Sequence, residues 1–223
     1  MNIGLIVGIG PAATDHYYRL LIAEMAKRGK TLTLVMAHAD APTLVRNQSE
    51  NNVDRQVAIY VELANRLKAA GSHFVAVTSV AGHFCREAFA KVSPLPVIDL
   101  VSAVSEEVLK RGYKRVGLIG TKVVMATKFY GALPKVEVIA PQGHLRERVH
   151  DSYVAMALKG AVSPEERDVF FEAGRDMTTQ GGADAVLLAG TDLALAFSGQ
   201  GPGFAVLDCA ACHAKAIVEL ACS

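Results

Sequence analysis

The chain alternates short, unbroken apolar runs with longer stretches in which apolar residues recur every three or four positions. Residues 2–7 are the first run, a strand with no polar face. Gly8-Ile9-Gly10-Pro11 then turns into a helix with proline in its first turn, where a missing N–H costs nothing. Tyr17, Leu20, Leu21 and Met25 mark the buried side of that helix. Residues 32–36 predict a second strand, residues 38–52 a polar loop, and residues 53–70 a helix with Val57, Tyr60, Val61, Ala64 and Leu67 on one face. Residues 74–77 form a third apolar run that breaks into Thr78-Ser79-Val80-Ala81-Gly82-His83, and a helix is predicted over 82–92. Ser93-Pro94-Leu95-Pro96 is the clearest punctuation in the chain. A short strand over 97–99 follows it, then a helix that ends at Gly112.

From residue 115 the pattern restarts. Arg115-Val116-Gly117-Leu118-Ile119-Gly120-Thr121 repeats the strand and small-residue turn of residues 2–10, and residues 136–140 parallel residues 32–36. Helices are predicted over 142–159 and 164–180, the second capped by Ser163 with Glu165 and Glu166 favouring its dipole. A strand over 185–189, a glycine-rich loop over 198–203, a strand over 205–207 and a helix to about residue 221 complete the chain. Strands that alternate with helices and carry no polar face imply parallel sheets covered on both sides. The restart therefore predicts an α/β fold of two pseudo-symmetric domains with parallel sheets flanked by helices. Residues 1–98 with 208–223 would make the first half and 99–207 the second, the last helix crossing back to the first. Ligands of such sheets bind outside the carboxyl ends of the strands. The site is therefore expected in a cleft between the halves, walled by the turns after residues 77 and 189.

Composition narrows the partners. A net charge of +1 over 223 residues, with no long basic block, argues against nucleic acid and anionic membrane. No apolar run approaches the roughly 20 residues of a membrane span, so a cytoplasmic protein is expected. The four cysteines, Cys85, Cys209, Cys212 and Cys222, suit free thiols better than a disulfide framework. Cys209-x-x-Cys212-His213 lacks at least one ligand for zinc and the N-terminal strand–helix setting of a redox motif, so no metal is expected.

Three turns of small residues precede helices: 8–14, 78–82 and 190–192. Backbone N–H groups at such turns favour anions. A carboxylate held by Ser79, Thr121 or Thr191 is the simplest use of them, with Arg46, Arg148 and Lys159 as candidate countercharges. Ser79 and His83 are four residues apart, close enough for the imidazole to reach the hydroxyl, and Asp192 would complete a Ser-His-Asp outline. The plainer alternative makes Ser79 a cap and His83 a backbone support. Gly8-x-Gly10-x-x-Ala13, with Asp40 beyond the second strand, also fits a loose dinucleotide fingerprint, though Pro11 sits inside it.

In several blocks in the same order, the sequence resembles the aspartate/glutamate racemase family. The blocks are Gly8 to Thr14 with Tyr17-Tyr18; Ala76-Val77 through His83; Val116 to Thr121 with Met125, Phe129 and Tyr130; Arg148 with His150; Gly182 through Asp192; and Leu207-Asp208 with His213-Ala214. The resemblance implies an isomerase without cofactor, a homodimer, a small carboxylate ligand, and a pair of cysteines on opposite sides of a substrate Cα. A thiol suits that task because its pKa, about 8.5 unperturbed, is reachable near neutral pH. At the corresponding positions this chain has Ser79, followed by Val80, and Gly190, followed by Thr191 and Asp192. A hydroxyl is a far weaker acid than a thiol, and glycine carries no acid at all. The resemblance thus predicts Ser79, His83, Thr191 and Asp192 as catalytic residues. Gly8, Gly10, Arg46, Thr78, Val80, Thr121 and Gly190 are predicted around the ligand, and the two-thiol mechanism is missing. A protein that keeps the pocket and only binds, or a diverged isomerase, decarboxylase or lyase, are the alternatives.

Overall fold

Two four-stranded parallel sheets carry the chain, and their strand orders have the same form. The computed structural model describes residues 1–199 and 201–223. Contacts divide it into two compact units, Met1–Ala103 with Ala210–Ser223, and Val104–Cys209.

In the first unit, strands β1 (Ile3–Val7), β2 (Leu34–His38), β3 (Phe74–Val77) and β4 (Val97–Ile98) lie in the order β2-β1-β3-β4. Ile6 of β1 pairs with Val77 of β3, which aligns their carboxyl ends. The period of two along each strand sorts the core into two layers. Ile3, Leu5, Val7, Phe74 and Ala76 meet Tyr17, Leu21 and Met25 of helix α1 (Pro11–Lys27), and Ala214, Ile217 and Val218 of the C-terminal helix over Cys209–Cys222. Ile6, Val75 and Val77 face the other way, onto Leu44 of helix α2 (Ala41–Ser49), Tyr60, Ala64 and Leu67 of α3 (Val53–Ala69), and Phe89 of α4 (Arg86–Val92).

In the second unit, β5 (Arg115–Gly120), β6 (Glu137–Ile139), β7 (Ala185–Ala189) and β8 (Val206–Asp208) lie in the order β6-β5-β7-β8, and Gly120 pairs with Ala189. Helix α5 (Leu100–Lys110) leads into β5, and the single turn α6 (Lys122–Ala126) follows it. One face of this sheet, with Ile119, Val186 and Leu188, packs on α7 (Gly143–Lys159) through Val149, Tyr153 and Met156, and on α8 (Pro164–Arg175) through Phe170 and Ala173. A short helix α9 (Ala194–Phe197) follows β7, and the C-terminal helix is α10 (Cys209–Cys222). The Ser163 hydroxyl and the Glu166 carboxylate form a reciprocal cap at the start of α8.

The structure corrects three element boundaries. The stretch 38–52, expected as loop, contains α2, which starts because the Asp40 carboxylate accepts the Thr43 N–H at 2.9 Å and proline occupies the first turn. The helix expected over 82–92 is a 3₁₀ turn, Ala81–Cys85, followed by α4. The helix expected over 164–180 widens after Arg175 into a π-helical turn, Asp176–Gln180, where Thr178 and Thr179 hydroxyls bond back to the carbonyls of Gly174 and Arg175. Of the expected loop 198–203, Gln200 lies outside the described residues. Among the described residues no helix is long and apolar enough to cross a membrane.

Candidate functional site

The carboxyl ends of β1 and β3 place two of the predicted turns side by side in the first unit. Gly8 leaves β1 with φ +92°, and a Cβ there would come within 2.8 Å of the Ala39 carbonyl, so only glycine fits. The Thr14 hydroxyl staples this turn by accepting the Gly8 N–H at 3.2 Å and donating to the Gly10 carbonyl at 3.1 Å, and Gly10 is the extended residue that precedes α1. Next to it, the Thr78 hydroxyl donates to the Ile6 carbonyl at 3.1 Å, tying the exit of β3 back to β1.

Ser79 and His83 lie together, but not as a nucleophile and its base. The Ser79 hydroxyl accepts the Gly82 N–H at 3.2 Å, as a cap does for the 3₁₀ turn. His83 Nε2 accepts the Leu100 N–H at 3.3 Å, which leaves its proton on Nδ1, 2.6 Å from the Ser79 carbonyl. The imidazole, 4% exposed, thus clamps the backbone of the β3 turn to the start of α5, and its expected reach to the Ser79 hydroxyl is corrected. Both ring nitrogens are thus occupied by backbone groups of the first unit. Burial above all pushes His83 below the ordinary histidine range.

Behind it lies a second buried imidazole that the sequence reading left without a role. His213 Nδ1 meets the Tyr17 hydroxyl at 2.8 Å and Nε2 meets the Ile98 carbonyl at 3.0 Å, so the ring donates from Nε2 and joins α10 to α1 and to the end of β4. Burial, and then the proximity of His83, push its pKa down to about 3. Cys85 is equally committed to the interior, and burial pushes its thiol up to about 12, far from a useful thiolate. Val80 is buried at 1% exposure.

The second unit builds its strand ends differently. Thr121 follows β5 and caps α6 by accepting the Val124 N–H, and His150 of α7 accepts the Lys122 N–H at 3.2 Å. Beside it, Gly190, Thr191 and Asp192 follow β7, with Thr191 and Asp192 buried at 2% and 3% exposure. A Cβ on Gly190 would lie 2.6 Å from Tyr153 Cζ and 2.9 Å from its hydroxyl oxygen, so the phenol ring fills the space a side chain at 190 would need. Asp192 lies beside the Tyr153 hydroxyl and acts on it through both its carboxylate and its backbone. Burial, and then the Asp192 carboxylate, push the phenol well above the usual tyrosine range, so it stays neutral. Sequence reasoning missed Tyr153, because a tyrosine within the helix expected over 142–159 carries no mark of a role. Next to this group, Lys128, Phe129 and Tyr130 take φ values of 49°, 61° and 58°, a run of left-handed non-glycine residues of the strained kind that gathers at functional sites.

The candidate countercharges are engaged elsewhere or lie on a helix surface. Arg148 pairs with Glu172 at 3.0 Å, Lys159 pairs with Glu166 at 2.7 Å, and Arg46 is exposed in the last turn of α2. Among the described residues, no three His, Cys, Asp or Glu side chains gather as a metal site would require.

The Asp/Glu/Hydantoin racemase family profile matches residues 6–217. The chain belongs to this racemase family. It is similar over 100% of both chains to the structure of an Asp/Glu racemase candidate from Yersinia pestis, at 25% identity and a TM-score of 0.85. An aspartate racemase homologue from Pyrococcus horikoshii OT3 matches at 25% identity and a TM-score of 0.83, covering 100% of this chain and 99% of that one. The glutamate racemase of Francisella tularensis, solved with D-glutamate, shares the fold at 16% identity and a TM-score of 0.69, over 98% of this chain and 80% of its own. Family membership thus agrees with the paired parallel sheets.

Proposed function

We propose that this racemase-family protein takes a small α-carboxylate, such as an amino acid, without a cofactor, and that it does not exchange the α-proton between two thiols. The observation that carries the second half is the space at Gly190: the position that the family resemblance aligns with one proton-carrying cysteine is filled by the ring of Tyr153. The other aligned position is Ser79, whose hydroxyl caps a turn while the neighbouring His83 imidazole is spent on backbone groups. A hydroxyl without a base is a poor proton acceptor at neutral pH. The small-residue turns after β1, β3, β5 and β7, with Thr121 and Thr191 buried at two of them, support a carboxylate ligand. Aspartate and glutamate are the first ligands to test, given the relatives' descriptions.

A second reading is favoured by Asp192. It is a buried ionisable group at a strand end, and a single proton carrier suffices for a one-sided isomerisation, decarboxylation or elimination. Incubating L- and D-aspartate and L- and D-glutamate in deuterated water, with binding followed by calorimetry, separates the readings. Binding without interconversion of enantiomers is expected. Deuterium at Cα with retained configuration favours the single carrier, and interconversion that thiol alkylation abolishes overturns the proposal. The same reading keeps the protein a cytoplasmic homodimer, which light scattering tests for the assembly.

A further inference from the structure

Gly190 is not a glycine for the sake of its backbone, since its φ lies outside the left-handed region; it is a glycine because of its neighbour. The side-chain volume of position 190 is occupied by a residue from α7, Tyr153. Tyr153 is 7% exposed and packed into the unit's main apolar cluster, and its hydroxyl is set beside Asp192, two residues beyond the glycine. An apolar ring alone would fill the core, whereas burying a hydroxyl and a carboxylate costs free energy unless each satisfies the other. The pair therefore holds the ring against the turn rather than merely near it.

We infer that Tyr153 is the specificity-determining residue of the turn after β7: its ring takes the volume of a residue-190 side chain, Asp192 holds it there, and the turn admits only short carboxylates. This rests on the carboxylate reading above. The role is one of size and placement, because burial and the neighbouring Asp192 carboxylate keep the phenol neutral. A longer ligand would have to displace a ring that is both packed and tethered. One methylene in such a confined space is worth about tenfold or more in selectivity.

The test combines Gly190→Ala, Tyr153→Leu and the double variant, with Tyr153→Phe as the change that keeps the ring and removes the tether. Tyr153→Met, which keeps a similar apolar volume on a more flexible chain, serves if the leucine variant does not fold. Calorimetric affinities for aspartate and glutamate should shift by about tenfold in favour of glutamate when the ring is removed. The ratio should stay within about twofold in Tyr153→Phe. A purely structural tyrosine would weaken both ligands alike, and an unchanged ratio in the leucine or methionine variant overturns the inference. In parallel, Gly190→Ala should lower the melting temperature by on the order of 5 °C in the wild-type background and by nothing once the ring is gone. If neither acid binds the wild type, the carboxylate reading fails, and the melting temperatures still decide the pairing: an equal drop in both backgrounds overturns it.

Discussion

The turns after β3 and β7 occupy equivalent places in two sheets of the same order, and they are built from opposite materials. After β3 the chain is held by an imidazole: His83 bridges the Ser79 carbonyl and the Leu100 N–H, with His213 behind it gripping Ile98 and Tyr17. After β7 it is held by a phenol and a carboxylate, Tyr153 and Asp192, around a glycine that makes room for the ring. In the first turn the polar side chains serve the backbone; in the second they serve each other. Neither leaves a thiol at the strand end. Conserved topology does not carry chemistry with it, because the strand ends fix where a side chain begins and not what it can titrate.

The strongest way to break the comparison is to remove the imidazole framework from one turn only. His213→Ala should destabilise the protein by about 4 kcal/mol, since it opens a cavity and strands the Tyr17 hydroxyl and the Ile98 carbonyl in the interior. Urea unfolding checks this. A loss under about 1 kcal/mol would mean that water replaces the ring, and that the histidine does not hold β4 to α1 and α10.

Acid should act on the first turn before the second. The folded-state pKa of His213 lies at about 3, below its unfolded value, so the unfolded chain takes up a proton first as pH falls. Its contribution is complete above about pH 6.5 and is lost at about 1.4 kcal/mol per pH unit as pH falls toward about 3, with His83 acting in the same direction. Between pH 6.5 and 5, above the range of ordinary carboxylates, the wild type should therefore lose about 2 kcal/mol from this histidine. Unfolding midpoints measured across that window, in the wild type and in His213→Ala, read the difference. Identical slopes would assign the loss to other groups.

At the second turn the expected effect is smaller. Gly190→Ala should cost about 1–3 kcal/mol through collision with Tyr153, while an alanine at an unconfined glycine such as Gly201 should change stability by well under 1 kcal/mol. The smallest effect sharpens the ligand reading. Arg148→Gln removes a half-exposed ion pair with Glu172 and should change stability by about 0–1 kcal/mol. It should leave carboxylate affinity as it was. A large loss of affinity would restore Arg148 as a countercharge.

The paired α/β architecture is legible in the sequence because parallel strands buried on both faces read as unbroken apolar runs, as Ile3–Val7 and Ala185–Ala189 do. Helix α2 is obscured because its start signal, Asp40 with Pro42 and Thr43, is made of the same residue types as a loop. The geometry of His83 is hidden for another reason. Its partners are a carbonyl and an N–H, which every residue has, so spacing suggested the Ser79 hydroxyl instead. Tyr153 is hidden because its meaning lies in contact with a glycine far away in the chain, and a tyrosine on an apolar helix face carries no mark of it.

The central claim is that neither strand end moves the α-proton of a ligand through a thiol. The most direct measurement follows each pure enantiomer of aspartate and glutamate with the protein in deuterated water by proton NMR and chiral separation. Binding is expected with no conversion of one enantiomer into the other, before or after alkylation of the accessible cysteines. Conversion with deuterium at Cα that is abolished by thiol alkylation would contradict it.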